Sequence, residues 1–65
     1  MQSTQDKQNL IGQEGIAITD LRRIGYVKIG TEVYDAISQH MTIANGTRIK
    51  VIRRDFNCLV VISLS

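Results

Sequence analysis

A small all-β barrel of five short strands is the fold this sequence predicts, on three observations. Gly30-Thr31 separates two runs rich in β-branched and aromatic residues, and glycine at the first central position of a two-residue loop supplies the positive φ of a type II′ hairpin turn. Arg48-Ile49-Lys50-Val51-Ile52-Arg53 opens on the charged/apolar alternation of a half-buried strand. The chain has no proline and only three aromatic residues, Tyr26, Tyr34 and Phe56, so its core must come from Ile, Val and Leu, which pack well on a pleated surface.

The elements follow in order. Met1–Asn9 is polar after Met1 and reads as a flexible linker or lead-in, leaving 10–64 as the barrel domain. Within Leu10–Thr19, Ile16 and Ile18 alternate with Ala17 and Thr19, which suits a first strand; Gly12 and Gly15 permit a bulge or bend. The second strand is expected from Arg22 to Ile29, bent at Gly25, and the third from Thr31 to Ser38. A two-residue loop at Gly30-Thr31 pairs Ile29 with Glu32, Val27 with Tyr34 and Gly25 with Ala36. Val27, Ile29, Tyr34 and Ala36 then point inward, and Val33 and Ile37 lie on the other face, covered by a loop or a partner. Gln39–Gly46 is too short for a stable helix; it reads as a loop anchored by Ile43 and closed by the Asn45-Gly46 turn. The fourth strand turns Ile49 and Val51 inward. Arg54-Asp55-Phe56-Asn57 forms the next turn, and Cys58–Ser63 the last strand, with Leu59 and Val61 inward and both faces partly covered. Five short antiparallel strands cannot bury both faces of a flat sheet, so they curl into a barrel. An OB-type barrel is the expected form, with an SH3-like barrel as the alternative.

At 65 residues the chain holds one domain at most. The net charge of +2 falls short of the basic excess of a dedicated nucleic-acid binder. No apolar run approaches the roughly 20 residues that span a bilayer. Cys58 is the sole cysteine and His40 the sole histidine, so neither an internal disulfide nor a Cys/His metal cluster is expected. Cys58 reads as a small apolar residue and His40 as a surface loop residue. The six carboxylates are scattered singly, and Gly12-x-x-Gly15 is followed by strand-type alternation rather than a phosphate-binding helix. No catalytic residue, cofactor or metal is expected. Arg22-Arg23, Lys28, Arg48, Lys50 and Arg53-Arg54 with Tyr26 leave a single-stranded nucleic-acid-binding OB-fold as the alternative function.

Taken in order, Leu10-Ile11-Gly12-Gln13-Glu14-Gly15-Ile16-Ala17, Thr19-Asp20-Leu21-Arg22, Gly25-Tyr26-Val27, Gly30-Thr31-Glu32-Val33-Tyr34-Asp35-Ala36, Gly46-Thr47-Arg48-Ile49-Lys50-Val51 and Leu59-Val60-Val61 resemble the soluble C-terminal domain of the NfeD family. Two departures stand out: Arg23 replaces the proline that commonly follows the Leu-Arg pair, and Gln39-His40-Met41 replaces a more glycine-rich link before Ile43. The resemblance implies an OB-type barrel tethered to the cell membrane through its parent protein, on the cytoplasmic side. It further implies stomatin- or flotillin-like partners, and a role in membrane-protein quality control or in regulating a membrane protease. The serine and lysine of the family's ClpP-like protease domain have no counterpart here, so the expected role is non-catalytic protein interaction. The residues read as a partner surface are Arg22, Arg23, Tyr26, Val33 and Ile37.

Overall fold

The computed structural model describes residues 10–39 and 41–64. The linker assigned to 1–9 and the surface-loop reading of His40 lie outside the described residues. Five strands form a closed barrel: β1 (Glu14–Ala17), β2 (Ile24–Ile29), β3 (Glu32–Ser38), β4 (Arg48–Asp55) and β5 (Cys58–Ser63). Their order around the barrel is β1-β2-β3-β5-β4, with β4 closing onto β1. All pairs are antiparallel except β3 with β5, which run parallel, whereas the sequence suggested antiparallel strands throughout. The fold is consistent with a small OB-type barrel.

The central hairpin has the expected register: Ile29 faces Glu32, Val27 faces Tyr34 and Gly25 faces Ala36. Gly30 takes φ 64 while Thr31 stays outside the left-handed region, which is the type II′ pattern. Val27, Ile29, Ala36, Ile43, Ile49, Val51, Leu59 and Val61 are all buried in one core with Leu10, Ala17 and Leu21, and half-buried Tyr34 packs against it.

Four features differ from the sequence reading. β1 is only four residues long and turns Ala17 inward, leaving Ile16 and Ile18 exposed. A five-stranded barrel has a narrow interior, and small side chains are used where strands converge. β2 starts at Ile24 rather than Arg22, because Arg23 adopts φ 115 and breaks the extended run. Proline, fixed near −65°, cannot take that conformation. The bend expected at Gly25 becomes a close approach: a Cβ there would stand 2.4 Å from Leu21 Cδ2, 2.5 Å from Thr19 Oγ1 and 2.9 Å from the Asp20 carbonyl oxygen. Finally, β4 runs on to Asp55, so the last turn is Phe56-Asn57 alone, with Asp55 facing Cys58. A bulge at Ile52, between the Val51–Val61 and Arg53–Val60 pairs, absorbs the extra residue.

The strand directions separate two poles. The lower carries the two tight hairpins, Gly30-Thr31 and Phe56-Asn57, and is closed by Leu10. The upper carries the β1–β2 and β3–β4 connections, which bond each other: Leu21 and Ile43 exchange backbone hydrogen bonds of 2.7 and 3.0 Å, and the Asn45 N–H donates to Asp20 Oδ1 at 2.9 Å. Ile43 is therefore the core anchor its position suggested, and Asn45-Gly46 the expected turn.

Candidate functional site

The outer face of β1, β2 and β3 carries an unusual load of apolar side chains. Cross-strand pairing sets them in rows: Ile24 beside Ile37, Tyr26 beside Asp35, Lys28 beside Val33, and Ile16 beside Lys28. Ile18 adjoins Tyr26 by donating its N–H to the Tyr26 carbonyl at 3.0 Å. Ile24, Val33 and Tyr26 are 61%, 54% and 49% exposed, and Ile16 and Ile18 are also exposed. Ile37 is half-buried. Strand alternation explains the arrangement: Ala17, Gly25 and Ala36 occupy the tight inner side, so the larger neighbours stand outside. An apolar face whose charged members are Lys28, Asp35 and, at its β1 edge, Glu14 is characteristic of surfaces that bind other molecules.

Of the residues singled out from the sequence, the structure brings Tyr26, Val33 and Ile37 together on this face. Arg22 and Arg23 are not on it. They stand at the upper pole, where a groove of about 320 Å³ is lined by Arg22, Arg23, Ser38, Gln39, Met41 and Thr42. Face and groove adjoin, because Ile24 follows Arg23 and Ile37 precedes Ser38. Sequence reasoning missed Ile16, Ile18, Ile24 and Ser38. The Ile16/Ile18 alternation was visible, but nothing local says that Ala17 rather than the isoleucines faces inward.

The other chemistry is sparse. Arg48 Nη2 meets Glu14 Oε1 at 3.0 Å, an exposed pair that contributes little. Arg53 Nη1 donates to Gln39 Oε1 at 3.3 Å, spanning β5 where the outward-facing Val60 is buried. Cys58 is a free, half-buried thiol. Among the described residues no three His, Cys, Asp or Glu converge to hold a metal, and no helix is long and apolar enough to cross a membrane. The aromatics do not form a stacking track: Tyr26 lies on the sheet face, Tyr34 turns toward the core and Phe56 projects from a hairpin tip.

Comparison with known proteins adds the context. The family model for the NfeD-like C-terminal, partner-binding domain matches residues 7–61. Among solved structures, the C-terminal domain of stomatin operon partner protein 1510-C from Pyrococcus horikoshii is similar at TM-score 0.84 and 25% identity, over 89% of this chain and 92% of that one. No curated protein sequence matches.

Proposed function

The chain belongs to the NfeD family, as a member of its C-terminal partner-binding domains, and from that premise we propose that it is a non-catalytic module that docks a stomatin- or flotillin-like protein on the outer face of β1–β3. The observation that carries this reading is the exposed apolar row system around Ile24, Tyr26 and Val33, whose charged neighbours on the face are Lys28, Asp35 and, at the β1 edge, Glu14. The structural neighbour, described as a stomatin operon partner, supports the class of partner. The finer role comes with the family resemblance: a barrel tethered to the cell membrane through its parent, on the cytoplasmic side, acting in membrane-protein quality control or in regulating a membrane protease.

The test is capture of the soluble part of a stomatin-like protein from the same organism on the immobilised domain. Val33→Ser with Ile37→Ser should weaken binding by roughly tenfold or more, on the scale of losing about 1–2 kcal/mol of interface contact. Unfolding should stay cooperative, since neither residue belongs to the core. Undiminished capture by the double variant rejects this face.

A further inference from the structure

The upper-pole groove holds a feature that the apolar face does not explain. Ser38 is only 8% exposed, and its backbone N–H donates to the Arg23 carbonyl at 2.9 Å, but its hydroxyl has no hydrogen-bond partner among the described residues. A buried, unsatisfied hydroxyl costs the full desolvation of the group. Arg22 and Arg23, which line the same groove, make no ion pair among the described residues. Thr42 adds a second hydroxyl. Gln39 has its carbonyl oxygen occupied by Arg53, and among the described residues its NH₂ has no acceptor. Among the described residues no carboxylate lines the groove. It is thus a concentration of unused hydrogen-bond donors and positive charge, the complement of an oxyanion.

We propose that this groove is a carboxylate-binding subsite, and that it receives an acidic group of the polypeptide docked on the adjoining face. The assignment rests on that docking reading for the source of the carboxylate, but the chemistry of the subsite stands on its own residues. Two arguments choose a peptide carboxylate over a bare inorganic anion. About 320 Å³ is the bulk volume of roughly ten waters, room for an acidic side chain or chain end with its neighbouring atoms. Two of the groove's lining residues, Arg23 and Ser38, are also the chain neighbours of Ile24 and Ile37 on the face, so a segment lying along the face passes next to it. Arg22 and Arg23 supply forked donors suited to two carboxylate oxygens, and Ser38 donates from the floor.

The experiment is a titration of the ¹⁵N-labelled chain, followed by amide NMR, with N-acetylglutamate and with its neutral twin N-acetylglutamine amide. The acid should shift the amides of Ser38, Gln39 and Thr42 saturably in the millimolar range, and the twin should not. Arg22→Gln with Arg23→Gln should weaken the acid's binding about tenfold, as expected for losing charge-assisted contacts at a partly exposed site. Ser38→Ala should weaken it severalfold without lowering the melting temperature, because the hydroxyl it removes has no partner among the described residues. An equal response to the twin, no saturable shift, or an unchanged constant in the double arginine variant overturns the proposal. A stronger response of the same amides to inorganic phosphate or to phosphatidylserine vesicles overturns the peptide assignment in favour of a phosphate or a lipid headgroup. Failure here with intact sensitivity of partner capture to Val33 and Ile37 leaves the docking face standing; the reverse result leaves the subsite standing.

Discussion

Replacing Phe56 with glycine should stabilise the domain, although it deletes an aromatic ring. Phe56 takes φ 59 at the first central position of its two-residue turn, the place that Gly30 fills at φ 64 in the other hairpin. The left-handed conformation costs an L residue roughly 1–2 kcal/mol. The ring is 92% exposed, so burial offsets almost none of that cost. Glycine removes the strain but loses about 0.5–1 kcal/mol through the extra freedom of the unfolded chain. The net gain runs from about zero to 1.5 kcal/mol and is centred near 0.75 kcal/mol. In a domain of this size 1 kcal/mol moves the melting temperature by about 4–8 °C, so the central expectation is that Phe56→Gly melts roughly 3–6 °C higher. Thermal unfolding followed by circular dichroism measures this directly, with Gly30→Ala as the mirror control, expected to melt lower by a similar amount. A lower melting temperature for Phe56→Gly refutes the reasoning, since it would mean that the ring contributes packing or that the turn is not left-handed at this position.

Two further predictions concern the upper pole. Gly25→Ala should cost about 1–3 kcal/mol, the range for inserting a methyl into a packed site, because the new Cβ meets the Asp20 carbonyl oxygen as well as two side-chain atoms; chemical denaturation should show a lower midpoint, and parental stability would show that the turn at 19–21 yields freely. Asp20→Ala should remove the acceptor of the Asn45 N–H and cost about 1 kcal/mol, with faster hydrogen exchange at the Asn45 amide than at Val27 in the core; equal acceleration at both would mean global destabilisation rather than a loosened loop.

What the sequence made legible was whatever local chemistry decides. The Gly30-Thr31 turn set the register of β2 and β3 by itself, because a type II′ loop leaves one pairing open, and every inward assignment on that hairpin follows from it. Ile49, Val51, Leu59 and Val61 were readable from period-two alternation. What was not legible depends on contacts distant in sequence. Ala17 faces inward because β1 pairs with β2 on one side and β4 on the other, and no window around Ala17 contains that fact. Arg54 and Asp55 look like turn residues in sequence, but pairing with Leu59 and Cys58 holds them in strand and leaves the left-handed position to Phe56. Arg22 and Arg23 read as surface from their charge alone, but their meeting with Ser38 depends on Ser38 sitting at the mouth of the barrel.

The location of that groove follows from connectivity. β2–β3 and β4–β5 are antiparallel neighbours, so two residues suffice to link each pair, and both links fall at the lower pole. β3 and β5 are parallel neighbours, so the chain leaving β3 at Ser38 cannot turn back beside it; it must cross the upper pole to reach β4 next to β1. The crossing is secured in the middle, where Ile43 pairs with Leu21. Between that anchor and the end of β3, Gln39, Met41 and Thr42 line a groove at the barrel mouth together with Arg22, Arg23 and Ser38. A barrel wired in this way has one pole reduced to tight turns and one with the residues free to vary, so the same parallel pair that closes the core also places Arg22, Arg23 and Ser38 beside the apolar face.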